Sequence, residues 1–112
     1  MNQEKKNTFN GWSNRATWAV NLWITNDQES YFRWRNRMKS LLGESPTQNR
    51  IHSALASLAE EIRDVTEDEC AIKKGGLAAD LMNGALAEVD WHEIAQAFLD
   101  DAEESKGGSK EP

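Results

Sequence analysis

The chain has one cysteine, Cys70, so it cannot close a disulfide within itself. A lone thiol without a disulfide framework fits a reducing cytosol better than an export route. No apolar run follows the charges of the opening MNQEKKNTF, so the pattern of a signal peptide is missing. No stretch approaches the ~20 apolar residues that a membrane span requires. There is no glycine-rich phosphate loop and no regularly spaced set of metal ligands. No segment keeps the two-residue apolar alternation of a half-buried strand. These absences lead us to expect a soluble cytoplasmic protein that is not an enzyme, holds no cofactor or metal and is built from helices.

What the chain does have is tryptophan. Four of its five copies, Trp12, Trp18, Trp23 and Trp34, fall within residues 10–43. Each ring brings a large apolar area, so the cluster is either the core of a small domain or a surface for a partner. Charge is placed just as unevenly within a formal total of −6. Lys5, Lys6, Arg15, Arg33, Arg35, Arg37 and Lys39 face only Glu4, Asp27 and Glu29 in the first 43 residues, and acidic residues dominate the rest. Either the two halves pair within the fold, or they form two surfaces with different partners.

Apolar spacing of about 3.6 residues marks the helices. The first is expected over about 15–25, capped by Ser13 or Asn14, with Ala16, Ala19, Val20, Trp23 and Ile24 as its inner face and Trp18 and Leu22 widening it. Trp18 and Trp23 are therefore expected to be buried, and Trp23→Ala to cost ~3–5 kcal/mol. Asn26-Asp27 breaks the pattern and caps a second helix over 28–42, whose stripe is Tyr31, Trp34, Met38, Leu41 and Leu42, with Gly43 as its stop. Pro46 suits the first turn of a third helix with Ile51, Ala54, Leu55, Leu58, Ala59, Ile62 and Val65. After Gly75-Gly76 a fourth helix carries the row Leu77, Leu81, Ala85 and Val89, with Met82 and Leu86 beside it. Gly84 in its middle costs ~1 kcal/mol against alanine and marks close approach of another backbone. Asp90 and Glu93 have capping-box spacing ahead of Trp91, Ile94, Ala95, Phe98 and Leu99. The expected fold is one all-α domain, a compact bundle of about five short helices over 10–104, between a flexible N-terminus at 1–9 and a disordered tail at 105–112.

Two charged sets are candidate contact surfaces. The segment YFRWRNRMK mixes Arg33, Arg35, Arg37 and Lys39 with rings, which suits phosphate contact and base stacking. The same segment also reads as an amphipathic helix with rings inward and guanidiniums in water. The second set is Glu60, Glu61, Asp64, Glu67 and Asp68, with Asp100, Asp101, Glu103 and Glu104 further on. It has the composition of a nucleic-acid-mimicking face and equally that of an ordinary solubilising one. His92-Glu93 with Gln96 has one imidazole fewer than the H-E-x-x-H zinc helix needs. Cys70 sits among acidic residues, which disfavours a reactive thiolate.

Asn14, Thr17, Trp18, Val20, Leu22, Trp23, Asn26 and Asp27 spell N-x-x-T-W-x-V-x-L-W-x-x-N-D, preceded by Asn10-Gly11. This resembles a group of small, largely uncharacterised proteins of phages, plasmids and other mobile elements. Asp90-Trp91-His92-Glu93-Ile94-Ala95 resembles the W-x-E-I-A segment of the same group. The resemblance implies a mobile-element setting and carries no catalytic residues with it. Within the motif, Thr17, Trp18, Trp23, Asn26 and Asp27 read as structure, Thr17 as a helix residue bonding its own backbone. The functional expectation is a non-enzymatic protein that binds and inhibits a host defence complex, such as CRISPR or restriction machinery, through the acidic face. The alternative is a small nucleic-acid-binding accessory protein using the Arg-rich second helix.

Overall fold

The computed structural model describes residues 8–70 and 76–108, with side chains as far as Glu104. Among these residues there are five helices and no strand: α1 (Arg15–Asn26), α2 (Gln28–Leu42), α3 (Gln48–Glu69), α4 (Leu77–Ala87) and α5 (Trp91–Gly108). Most of the expected tail and N-terminus lies outside the described residues. The backbone of α5 nevertheless runs to Gly108, and Phe9 is held by a pair of backbone hydrogen bonds with Trp12 at 2.7 and 2.8 Å.

Helices α2, α3 and α5 pack on one another as a three-helix core, and α1 lies against α2 and α5. Trp34, Met38 and Leu42 from α2 meet Leu55, Leu58 and Ile62 from α3 and Ile94, Phe98 and Leu99 from α5. The stripes expected for these three helices are the ones buried. Their ends are also chemically marked. Asp27 closes α1 and caps α2, its Oδ2 accepting from the Ser30 N–H at 3.1 Å. Gly43 ends α2 at a φ of +76°, where a side chain would be strained. The cap of α3 is Thr47, so Pro46, expected in the first turn, lies just before the helix.

Two apolar faces do not turn inward as expected. Trp23 is 78 % exposed and Trp18 only half-buried. The centre of the inward face of α1 is Thr17, fully buried, with Ile24 two turns on. Trp23 therefore sits about a third of a turn away from it. In α4 the buried residues are Ala79 and Leu86, whereas Leu77 and Leu81 are 74 % and 65 % exposed. Of the row expected to face the core, Leu77, Leu81 and Ala85 are exposed, and Val89, just past the helix, is buried. Gly84 has open space where a Cβ would stand, so no backbone of the described chain approaches it.

Candidate functional site

The two sequence motifs meet in space. The Asn14 side chain caps α1, its Oδ1 accepting from the Thr17 N–H and the Thr17 hydroxyl, both at 2.8 Å. Its Nδ2 donates to the Glu88 carbonyl at 2.8 Å. The Thr17 hydroxyl in turn accepts from the Asp90 N–H at 2.8 Å. Asp90 caps α5 through the Glu93 N–H at 3.0 Å. In a reciprocal capping box the Glu93 carboxylate would return to the Asp90 N–H. Here Thr17 holds that N–H, and both Glu93 oxygens accept from the Ser13 N–H, at 3.1 and 3.2 Å. The N-termini of α1 and α5 are thus clasped by polar groups more than 70 residues apart in the chain. Thr17 does not bond its own backbone, as expected of it; Thr25 does, donating to the Asn21 carbonyl at 2.8 Å. Trp18 packs edge-on to the Phe9 ring at a centroid distance of 4.9 Å, and Asn26 is exposed at the end of α1.

Glu93, second residue of the HEIAQ segment, is therefore a clasp residue, and Gln96 donates to Asp100 at 3.1 Å. No group of three or more His, Cys, Asp and Glu side chains among the described residues is placed to hold a metal ion.

The basic set on α2 is largely engaged. Arg37 makes a bidentate pair with Glu61 on α3, both bonds 2.9 Å. These hydrogen bonds hold the Glu61 carboxyl below the usual glutamate range; its partial burial opposes them and the Arg37 charge adds to them. The same bonds raise the Arg37 guanidinium. Arg35 lies 3.7 Å from Asp101 of α5, and the Tyr31 hydroxyl donates to that carboxylate at 2.7 Å. That hydrogen bond, aided by burial, pushes the Tyr31 phenol up. Arg33 lies over the Trp34 ring at 5.9 Å. Lys39 is exposed.

The acidic set divides. Glu61 is taken by Arg37, and Glu67 pairs with Arg63 one turn before it at 3.2 Å. Glu60, Asp64 and Asp68 are exposed, lie one turn apart on the outward side of α3 and have no ion pair among the described residues. No basic residue occupies the last turn of α3.

A second surface was not legible as such in the sequence. An apolar groove of about 740 Å³ runs between α1 and α4 and reaches the end of α3. Ala19, Val20 and Trp23 form one wall, Met82 and Ala85 the other, with Cys70 at the α3 end. The signal that could have found it is the excess of apolar residues on α1 and α4 over what one inward face can bury.

Among the described residues no helix is long and apolar enough to cross a membrane. No curated protein and no solved structure matches the chain. Residues 5–104 do match the model of a family of unknown function (DUF7249), and the chain belongs to that family.

Proposed function

We propose that this chain is a non-enzymatic interaction protein of a phage or plasmid that binds and blocks a nucleic-acid-handling defence complex of its host. The contact is the outward row of α3. The observation that supports this reading is the sorting of charge. The cations of α2 that could bind phosphate are mostly turned to Glu61, Asp101 and the Trp34 ring. The carboxylates of Glu60, Asp64 and Asp68 stay open to solvent. One helical turn separates successive members, about 6 Å of rise, close to the spacing of phosphates along a strand. Such a row steers and orients a basic groove. The mobile-element setting rests on the resemblance of the N-x-x-T-W and W-x-E-I-A segments.

The test is a triple charge reversal, Glu60→Lys, Asp64→Lys and Asp68→Lys, in a restriction or CRISPR interference assay beside a thermal melt. The expected result is lost inhibition with an unchanged melt, because none of the three side chains touches the core. Full inhibition by a normally folded triple variant would remove this face.

A further inference from the structure

Helix α4, LAADLMNGALA, has one ionisable residue, Asp80, and is apolar around most of its circumference. A helix with that composition is normally enclosed on every side. Here Ala79 and Leu86 are buried, Met82 is half-buried, and Leu77 and Leu81 face outward. With 11 residues, α4 is also too short to hold its shape without packing. Beside it, across the groove, stands the exposed ring of Trp23.

We propose that a second copy of this chain covers this face, so that the protein is a homodimer joined through α4 and Trp23. Three observations favour a second copy over a foreign partner. The first is area. Trp23, Leu77 and Leu81 together expose roughly 400 Å² of apolar side chain, about as much as the largest patch on a typical monomer. With Met82 and Ala85 alongside, this comes near the low end of interface sizes, roughly 600 Å² per partner. The second is charge. Most of the excess negative charge of the molecule lies on α3 and α5, while α4 brings Asp80 and its C-cap Glu88, so two α4 helices meet with few carboxylates between them. The third is Gly84. It weakens the helix, yet nothing within the described chain lies within 4 Å of where its Cβ would be. Gly84 is on the outer side, two turns from Leu77. In an antiparallel pair of α4 helices the leucines of each lie against the glycine of the other, the close approach that a glycine permits. A two-fold pairing of this kind is self-complementary and closes after two copies.

The test uses the full chain in sedimentation equilibrium over a wide concentration range, with Leu81→Glu and Gly84→Ala. The wild type should approach twice the 12.7 kDa chain mass. Leu81→Glu, at an exposed position, should be monomeric with an unchanged helical spectrum. Gly84→Ala should raise the intrinsic stability of α4 while weakening dimerisation roughly tenfold or more. A wild type that stays monomeric at its solubility limit overturns the proposal, and so does a dimer that Leu81→Glu leaves intact. The charge-reversed α3 row lies on another face, so its failure in the interference assay leaves this result untouched.

Discussion

Thr17 carries a hydroxyl into a fully buried position, where it donates to Asn14 and accepts from Asp90, while the Thr17 N–H is also capped by Asn14. Replacing it with valine keeps the shape and removes the hydroxyl, stranding the Asp90 N–H. Such a loss costs about 1–3 kcal/mol. Thr17→Val should therefore lower the free energy of unfolding by that amount, read as a lower urea midpoint at unchanged slope, and Thr17→Ser, which keeps the hydroxyl, should lose less. A Thr17→Val variant as stable as the wild type would show that the clasp contributes nothing. Trp23 is the opposite case. Its ring is mostly in water, so Trp23→Ala should shift the stability of the monomer by no more than about 0.5 kcal/mol, as at ordinary surface positions. A loss of ~3–5 kcal/mol, measured by the same melt on dilute protein, would return the ring to the core.

At the scale of elements, the pairing of α2 with α3 has a pH signature. The folded Glu61 carboxyl is held down chiefly by the Arg37 hydrogen bonds, against the opposing effect of burial. In the unfolded chain a glutamate titrates near about 4.3. A depressed folded value means that the contribution is complete above the unfolded value and vanishes as pH falls through the folded one. Stability of the wild type should thus drop on acidification below about pH 4.3 more steeply than that of Glu61→Gln. Denaturation midpoints measured from neutral pH downward check this, and parallel curves would show that the pair contributes nothing. Element boundaries were mostly legible because local chemistry writes them: Asn14, Asp27 and Gly43 act where their side chains or φ angles are needed. Pro46 misled because it suits the residue before a cap as well as the first turn, and Thr47 carries the hydroxyl that bonds the Arg50 N–H at 3.1 Å. In α1 and α4 helical spacing established the helix but not its rotation, since each has more apolar residues than one face can hide.

For the whole molecule, a homodimer links stability to concentration. Partners that bind only the folded state raise its stability by mass action. The melting temperature of the wild type should climb with protein concentration, and that of Leu81→Glu should not. On the two proposals together the faces would divide the work, the α4 side joining copies and the α3 side meeting the host complex. The clasp ties the N-terminus of α1, the helix that carries Trp23, to that of α5.

Sequence alone determined the class and number of the helices, the caps of α2 and α5, and the inward stripes of α2, α3 and α5, and it narrowed the cap of α1 to Ser13 or Asn14. Each of those follows from contacts within a few residues along the chain or from one periodic row large enough to make a core. Only the tertiary structure decided which way α1 and α4 turn. The rotation of α1 is tied to hydrogen bonds donated by the Asp90 N–H to Thr17 and by the Ser13 N–H to Glu93, groups far apart in sequence whose pairing no spacing rule encodes. It also decided the fate of the charges. Arg37 and Glu61 are each unremarkable on their own helices, and their neutralisation depends on two helices lying side by side. The exposed carboxylates of α3 and the open apolar face beside Trp23 are what remained once those long-range pairings were made.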